Sequence, residues 1–342
     1  MGRRDSLTII VVKNSAGKAD FIDIVNDSAQ EFENVLLIGD EVHWLGATAF
    51  QPALLAQANL RLGLSATPRR YFDELGTDVL LRYFKETVYE LTLRQALELR
   101  DENGNRILCP YEYNPIIVGL DPLEQDSYRE FTKKIMKFKG VDSTPDIEEQ
   151  IQNLYIQRSN IAKSAASKIP AIKSLLSTFN RKITQTIIYC ADFNQLRQVA
   201  IVLNELGIQA QQITGEEDAI ASKQFNFISE REHIIQNFGK GNLDVLLAIQ
   251  CLDEGVDIPS AQIGIILASS GNEKEFIQRR GRLMRPFEGK TKAEIYDFCV
   301  LPENPADPLA DLGVVSVELR RIETFAEDAL NSNEVKLFLA EI

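Results

Sequence analysis

Residues Leu36–His43 read LLIGDEVH, an aliphatic run that ends in glycine and is followed at once by two carboxylates. The run predicts a buried strand, because short continuous apolar segments are typical of parallel sheets. Asp40 and Glu41 would then lie at the carboxyl end of that strand, where open α/β sheets bind ligands. A pair of surface acids at a strand end is the alternative interpretation, since two acids after an apolar run are common.

The two acids suit different chemistry. Mg²⁺ takes hard oxygen ligands, usually one or two carboxylates together with phosphate and water. Asp40 therefore suits a magnesium ligand that acts through water. Glu41 suits the group that orients and deprotonates the water attacking a γ-phosphate.

Similar apolar runs alternate with amphipathic segments along the chain. The predicted strands are Ser6–Val12, Val35–Ile38, Thr186–Tyr189, Asp244–Ile249, Ile263–Ala268 and Glu294–Val300. Helices are predicted at Phe193–Leu206, which Gly207 would end as a C′ glycine, and at Arg231–Phe238. This alternation predicts an α/β protein with parallel sheets.

The pattern divides the chain into four segments. They are the carboxyl part of a first sheet domain at 1–95, a mainly helical connecting segment at 96–184, a second sheet domain at 185–300 and a tail at 301–342. The first segment is short for a complete domain. The tail opens with the proline-rich LPENPADP, continues in two predicted helices at Val317–Leu330 and Asn333–Ile342, and is expected to pack on the second domain.

Composition excludes several classes of protein. The 342 residues are 44% hydrophobic and 25% charged, with 37 Lys and Arg against 50 Asp and Glu, a net charge of −13. These values exclude collagen-like, low-complexity and wholly disordered chains and argue against a protein that coats polyanions. The four cysteines form no C-x-x-C pair, so neither a zinc site nor a disulfide framework is predicted. With no apolar run of about 18 residues and no signal peptide, the sequence predicts a cytoplasmic protein without a membrane span.

A hydroxyl-rich strand end follows the acidic one. Leu62–Pro68 reads LGLSATP, in which a short apolar run leads into Ser65 and Thr67. Taken alone, this stretch is an ordinary Ser/Thr loop. Its position shortly after DEVH is what makes it informative.

An arginine-rich stretch lies far downstream. Glu275–Pro286 reads EFIQRRGRLMRP. Several guanidiniums on one short helix repel each other unless anions compensate them. Arg282 and Arg285 are three residues apart, so on a helix both could approach one polyphosphate and stabilise the charge that develops in phosphoryl transfer. A solvated basic helix is the alternative.

Taken in order, these stretches resemble the motifs of superfamily 2 DEXH-box helicases. DEVH and SATP resemble motifs II and III, TIIYCAD resembles motif IV, LDEGVDIP resembles motif V, and Q-x-x-G-R-x-x-R from Gln278 to Arg285 resembles motif VI. Within that superfamily, the sequence is most similar to helicases of the xeroderma pigmentosum group B type and to bacterial helicase-restriction ATPases.

The resemblance implies a fold and a set of residue roles. It implies two RecA-like domains, the first incomplete, with ATP and Mg²⁺ in the cleft between them and DNA across their tops. Catalytic roles are implied for Asp40, Glu41, His43, Gln278, Arg282 and Arg285, coupling roles for Ser65 and Thr67, and positions near the ribose for Gly255 and Asp257. For His43, a purely structural hydrogen bond is an equally good interpretation.

Nucleic-acid contacts are predicted less directly. The candidates are Thr214 and Gln250 near strand ends, and Arg158 and Lys163 in a basic stretch that runs to residue 182 without an acid. Basic side chains spread around a helix can equally be solvated surface charge.

The phosphate-binding signature G-x-x-x-x-G-K-[ST] occurs nowhere in the sequence. Gly17-Lys18 is followed by Ala19, and Glu288–Lys290 is predicted to be a turn. Such a loop cradles phosphate with backbone N–H groups at a helix N-terminus. We therefore expect the motor part of a DNA helicase or translocase that needs this segment from a partner polypeptide or from a missing N-terminal region. The alternatives are an inactive helicase-derived module that binds nucleic acid or regulates, and the motor of a restriction or phage-defence complex.

Overall fold

A computed structural model of the chain describes residues 6–70, 73–138, 144–214, 225, 227–249, 258–268, 273–301 and 315–341. The chain divides into two compact units, Met1–Glu90 and Leu91–Ile342. All pairs of neighbouring strands in the two sheets are parallel, which confirms the predicted α/β class. Within those ranges, no helix has both the length and the apolarity needed to cross a membrane.

The first unit is organised around two short parallel strands. Its elements are α1 (Lys13–Ala16), α2 (Ala19–Ala29), β1 (Leu36–Gly39), 3-10 turns at Val42–Gly46 and Gln51–Ala53, β2 (Leu60–Gly63) and α3 (Glu74–Phe84). β1 and β2 pair from Leu36 and Leu60 to Gly39 and Gly63. A Cβ atom on either of those glycines would lie only 3.1 or 3.2 Å from a methyl group of Val42. Glycine at the end of each strand therefore lets the core side chain Val42 lie against both.

The strand predicted at Ser6–Val12 is not formed. The segment has no strand pairing, and Ile10 and Val12 are 95% and 70% exposed. Its β-branched composition suits a strand, but a strand also needs a neighbouring edge to share hydrogen bonds with. Among the residues described, β1 and β2 pair only with each other, so composition alone gave the wrong prediction here.

The second unit contains a six-stranded parallel sheet in the order β3-β8-β7-β4-β6-β5. These strands are β3 (Tyr111–Val118), β4 (Thr186–Tyr189), β5 (Ala210–Ile213), β6 (Val245–Ala248), β7 (Ile263–Ile266) and β8 (Ala293–Val300). The inner strands β7, β4 and β6 are buried on both faces, as their continuous apolar runs predicted. Ile187 and Ile188, adjacent on β4, belong to separate apolar clusters because successive side chains point to opposite faces.

Helices account for much of the rest of the second unit. They are α4 (Leu93–Glu98), α5 (Pro122–Met136), α6 (Pro145–Lys163), α7 (Lys168–Thr178), α8 (Phe193–Glu205), α9 (Glu230–Gly239), α10 (Glu273–Leu283), α11 (Val315–Ala326) and α12 (Ser332–Glu341). The predicted helices α8 and α9 are confirmed, and their caps explain their starts. Asp192 accepts the Gln195 N–H at the start of α8, and Ser229 and Glu232 form a capping box on α9. Gly207, at φ 68°, follows α8 as expected.

Strand β3 was not predicted. Tyr111–Val118 lies inside the segment expected to be mainly helical, yet it pairs along its whole length with β8 at the edge of the sheet. Its sequence, YEYNPIIV, contains Asn114 and Pro115, which a central strand would exclude, but an edge strand tolerates proline. The remainder of that segment is mainly helical, in α5, α6 and α7.

The tail packs on the second unit, as expected. Ile322 and Phe325 of α11 are buried in the apolar cluster that also contains Tyr111 of β3. The Tyr111 hydroxyl donates to the Phe325 carbonyl at 2.8 Å. Helix α11 of the tail is therefore part of the core of this unit.

A buried charge network ties α11 to the sheet. The Arg321 Nε donates to Asp297 of β8 at 3.1 Å, and its Nη1 donates to Glu318 at 2.6 Å. The Tyr113 hydroxyl donates to the same carboxylate of Asp297 at 2.8 Å. Burial raises the pKa of Glu318, and Arg321 opposes that rise. The Arg321 guanidinium thus bonds both buried acids.

We expect Arg321→Met to lower the free energy of unfolding by about 3–5 kcal/mol, because Asp297 and Glu318 would be left buried without their cation. Urea titration followed by circular dichroism measures the loss. Arg320→Met is the matched control, because Arg320 is exposed on the same helix. Equal effects of the two substitutions would contradict the structural role of the network.

Candidate functional site

In the first unit, hydrogen bonds join the carboxyl ends of β1 and β2 and the loops that follow these strands. The Leu64 N–H donates to the Gly39 carbonyl at 2.8 Å, and the Val42 N–H donates to the Leu64 carbonyl at 2.9 Å. Asp40 is exposed directly after β1. These bonds place the acidic stretch beside the hydroxyl-rich stretch, as parallel pairing requires.

Glu41 has an unusual backbone conformation. Its φ and ψ are both 47°, in the left-handed region that residues other than glycine seldom occupy. Its N–H bonds the Asp40 carboxylate at 3.0 Å. Non-glycine residues held in this region cost about 1–3 kcal/mol and cluster at functional sites. The conformation directs Asp40 and Glu41 differently although they are neighbours in sequence.

His43 links the acid to the hydroxyl-rich loop. It is 7% exposed, and its Nδ1 lies 3.3 Å from the Glu41 carboxylate and 3.1 Å from the Ser65 hydroxyl. The Ser65 hydroxyl oxygen in turn accepts the Thr67 N–H at 3.1 Å. Four of the residues predicted to act in this region therefore form one chain of contacts, Glu41–His43–Ser65–Thr67.

Arg70 completes this arrangement and was missed by the sequence analysis. Its Nη1 donates to the His43 carbonyl, and its Nε donates to Asp73 at 2.6 Å. A Cβ on Gly46 would lie 2.5 Å from the Arg70 side chain, so glycine makes room for it. Its only sequence signal is a position just after SATP, which indicates no partner.

The acidic end fits magnesium in one respect. Asp40 offers an exposed oxygen ligand at a strand end, and Mg²⁺ bound with a nucleotide usually needs only one or two such carboxylates. No group of three or more His, Cys, Asp or Glu side chains able to hold a metal occurs in the part of the chain described. A metal here would therefore depend on phosphate and water for most of its ligands.

In the second unit, the arginines of α10 fall into two pairs. Arg279 and Arg280 are 2% and 8% exposed, whereas Arg282 and Arg285 are half-buried. The four arginines lie in the same short basic stretch, so the sequence alone does not distinguish them. Burial therefore separates structural arginines from those that can meet a ligand.

Arg279 anchors α10 to the sheet. Its Nη1 donates to the Ala268 carbonyl beyond β7 at 3.0 Å, and its guanidinium lies 3.5 Å from Glu275. It also lies 4.9 Å from the centre of the Tyr189 ring at the end of β4. Carbonyl, carboxylate and ring face together offset the cost of burying this cation.

Arg280 anchors the same helix to the edge strand β3 and to α11. It approaches the Tyr111 hydroxyl at 3.4 Å and lies 5.2 Å from the centre of the Phe325 ring. Phe276 of α10 stacks on that ring with centroids 3.4 Å apart. Contacts to two strands and to α11 therefore fix the position of α10.

Gln278 and Arg282 are one turn apart on α10, but Arg285 lies beyond its end. The helix stops at Leu283, and the Arg285 N–H makes a turn contact to the Arg282 carbonyl at 3.4 Å. The expectation that both arginines lie on one helix is therefore wrong for Arg285. Pro286 explains the stop, because the residue before a proline disfavours helical geometry.

Other predicted residues fall in different places. Thr214 is half-buried directly after β5. Gln250, Gly255 and Asp257 lie outside the described residues. The turn at Glu288–Lys290 is confirmed, with Gly289 at φ 77°.

Arg158 and Lys163 belong to α6. The Arg158 guanidinium donates to Thr132 at 3.2 Å and lies 5.2 Å from the ring centres of Tyr128 and Tyr155, so it helps to pack α6 on α5. Lys163 is half-buried at the carboxyl end of α6.

The rest of the basic stretch pairs within the unit. Burial lowers the pKa of Lys168 to about 8, and its ammonium donates to the Leu267 carbonyl. Lys173, Arg181 and Lys182 form ion pairs with Glu205, Glu294 and Asp244. The local excess of positive charge is therefore offset by acids that are distant in sequence.

We expect Arg279→Ala to lower the free energy of unfolding by about 2–3 kcal/mol, because it removes a buried charged donor from its partners. Arg285→Ala, a control in the same stretch, should cost less than about 1 kcal/mol, because that side chain is only half-buried. Thermal and urea unfolding measure both. A loss for Arg285→Ala as large as for Arg279→Ala would contradict this division.

Comparison with known proteins identifies a conserved domain in the second unit. Residues 167–286 match the family described as the helicase conserved C-terminal domain. The match covers β4 to β7 and the arginine helix α10.

Three relatives match a longer part of the chain than this domain does. A DNA 3'-5' translocase, XPB2, of Sulfurisphaera tokodaii is 28% identical over 73% of this chain. A putative helicase of a Sulfolobus islandicus filamentous virus is 30% identical over 77%, and the DNA 3'-5' helicase XPB of Mycobacterium tuberculosis is 25% identical over 73%. The matches span 55%, 42% and 38% of the lengths of these relatives. The second unit therefore matches the helicase conserved C-terminal domain, and the chain is similar to helicases and translocases of the xeroderma pigmentosum group B type.

Proposed function

We propose that this chain is the motor part of a superfamily 2, DEXH-box DNA helicase or translocase that hydrolyses ATP between two RecA-like domains. The contact chain Glu41–His43–Ser65–Thr67 carries this proposal, because it joins the acidic and hydroxyl-rich strand ends in one arrangement. A pair of solvated surface acids would not need a buried histidine between them and a second loop. The relatives named as a DNA translocase and a DNA helicase support DNA as the partner.

Each unit would contribute a different part of catalysis. Asp40 would hold Mg²⁺ through water, and Glu41 would orient and deprotonate the attacking water. Arg282 and Arg285, with Gln278, would stabilise the negative charge that develops on the phosphates. Mg²⁺, when bound with ATP, would neutralise phosphate charge. Arg279 and Arg280 would support this role by holding α10 in place.

His43 would couple changes at the nucleotide to the loop that contains Ser65 and Thr67. A change in the charge or position of Glu41 alters the hydrogen bond that His43 Nδ1 can make to Ser65, because one nitrogen faces both groups. Ser65 holds the Thr67 backbone, so the loop after β2 would respond. This is a physical route for coupling hydrolysis to movement along DNA.

We infer DNA contacts near the carboxyl ends of the strands in the second unit, with Thr214 and Gln250 as candidates, and nucleotide contacts from Gly255 and Asp257. The location of Thr214 directly after β5 supports this proposal. Arg158 is a weaker candidate, because its guanidinium already contacts Thr132 and two tyrosine rings. Lys163 remains a candidate at the end of α6.

The phosphate-binding loop would come from residues outside the printed sequence, in the same polypeptide or in a partner. An exposed apolar face of the first unit supports this proposal. Leu36 and Ile38 on β1 share a face with their register partners Leu60 and Leu62 on β2, and these side chains are 40–58% exposed. A strand-and-helix unit that brings the loop would also cover this face.

A second candidate function is a nucleic-acid-binding or regulatory module without ATPase activity, and the absence of the phosphate-binding signature favours it. A third possibility, the motor of a restriction or phage-defence complex, uses the same chemistry. Titration of the purified chain with ATP and Mg²⁺ separates the motor from the inactive module. Micromolar affinity favours a motor, whereas no binding, even with the missing segment supplied, favours the module.

We expect Glu41→Gln to abolish ATP turnover and to leave ATP binding nearly intact, because the amide cannot accept a proton from the attacking water. The measurement is DNA-stimulated phosphate release by the chain supplied with the phosphate-binding segment. Glu31→Gln is the control, since Glu31 is exposed ahead of β1. Turnover that survives in Glu41→Gln would remove Glu41 from the role of base.

We expect Arg282→Ala to slow hydrolysis by roughly 10³-fold or more, the usual effect of removing an arginine that stabilises phosphoryl transfer. The assay is the same, and Arg197→Ala, at an exposed position of α8, controls for loss of positive charge. An unchanged kcat would exclude Arg282 from catalysis.

A further inference from the structure

Lys290 makes contacts that no part of the proposed mechanism uses. It lies in the turn after the arginine-rich stretch, beyond residue 286 where the helicase-domain match ends. Its side chain points back into the unit and is half-buried. A lysine on a surface turn would ordinarily extend into solvent, so its direction needs an explanation.

The Lys290 ammonium joins two segments through their backbone carbonyls. It donates to the carbonyls of Leu283 and Arg285, the latter at 3.0 Å, where α10 ends. It also donates to the carbonyls of Ala261 at 2.6 Å and Pro259 at 3.4 Å, ahead of β7. All of these acceptors are backbone carbonyls, so the side chains of the two segments give no indication of the bonds.

These bonds supply hydrogen-bond donors and a positive charge at the carboxyl end of a helix. The last carbonyls of a helix lack intrahelical partners, and the helix dipole favours a cation there. Pro286 prevents α10 from continuing, so Lys290 provides the donors that a further turn would have supplied. Burial lowers the pKa of Lys290 to about 8, and the nearby Cys109 opposes that shift, so the ammonium is mostly charged at neutral pH.

The position of these bonds relative to Arg282 and Arg285 suggests a role. Arg282 precedes the Leu283 carbonyl by one residue, and the Arg285 carbonyl is itself one of the acceptors. Arg279 and Arg280 fix α10 upstream, and Lys290 bonds the backbone where Arg285 follows the end of the helix. Small displacements of catalytic groups have large effects on rate.

We propose that Lys290 is a positioning residue: by bonding the carbonyls at the end of α10 and those of residues 259 and 261, it holds Arg282 and Arg285 in place for the phosphates. The inference rests on the proposed function for its catalytic consequence. The physical attachment of the two segments stands independently of it.

The first test measures that attachment without activity. Hydrogen–deuterium exchange of the full chain should be faster in Lys290→Met than in wild type at the amides of residues 258–263 and 283–287. Lys292→Met is the matched control, because Lys292 lies two residues away and pairs with Glu112 instead. Wild-type exchange at both segments in Lys290→Met would overturn the proposal.

The second test measures kcat and KM for ATP in the chain supplied with the phosphate-binding segment, below the unfolding temperature of every variant. Lys290→Met should lower kcat roughly tenfold with a smaller change in KM, and Lys290→Arg should restore part of the loss. Lys292→Met should match wild type. In a background that carries both Arg282→Ala and Arg285→Ala, Lys290→Met should have a much smaller effect, because the groups it positions are absent.

The outcomes separate the two proposals. A full tenfold loss for Lys290→Met in the background that lacks both arginines, or a wild-type kcat in Lys290→Met alone, overturns the positioning role. A wild-type kcat in Arg282→Ala overturns the proposed role of Arg282 and with it the catalytic consequence. In that case faster exchange in Lys290→Met would still establish the attachment of the two segments.

Discussion

Parallel pairing of β1 with β2 is the interaction on which the proposed chemistry of the first unit depends. Parallel strands end at the same edge of a sheet, so the acids that follow Gly39 and the hydroxyls that follow Gly63 lie side by side. The bonds from Leu64 to Gly39 and from Val42 to Leu64 extend this pairing past the strands. His43 can then contact both loops.

In the second unit, burial of positive charge determines which arginines are available. Arg279 and Arg280 are enclosed by a carbonyl, a carboxylate and aromatic rings, and their contacts hold α10 against the sheet and the tail. Because these contacts fix the helix from one side, the half-buried Arg282 gains a defined position without being enclosed itself. The Lys290 ammonium plays the corresponding part at the end of the helix.

Much of the fold could be predicted from local patterns, because the central strands β4, β6 and β7 are continuous apolar runs and α8 has a capping Asp192 and a terminal Gly207. The predictions of strands were wrong where the presence of a neighbouring strand determines whether a segment forms one. Residues 6–12 have the composition of a strand but pair with no strand among the residues that the structure describes. In contrast, β3 contains Pro115 and still forms a strand, because it lies at the edge beside β8.

In the candidate site too, local sequence patterns predict some residues, and contacts between distant segments determine the others. The series DEVH, SATP and QRRGRLMR indicated which residues to consider, since their order is informative in sequence alone. It could not separate Arg279 and Arg280 from Arg282, nor reveal Arg70 and Lys290. These depend on contacts to carbonyls and rings from distant segments, and carbonyls have no sequence signature.

We propose that Asp40 and Arg282 act on the same nucleotide, and cleavage of the chain by bound iron is the measurement that decides it. With the phosphate-binding segment supplied, Fe²⁺ in place of Mg²⁺ and a source of hydroxyl radicals would cut the backbone close to the metal. ATP-dependent cuts are expected both beside Asp40 and beside Arg282. ATP-dependent cuts confined to one of these two regions, or the same cuts with and without ATP, would contradict it.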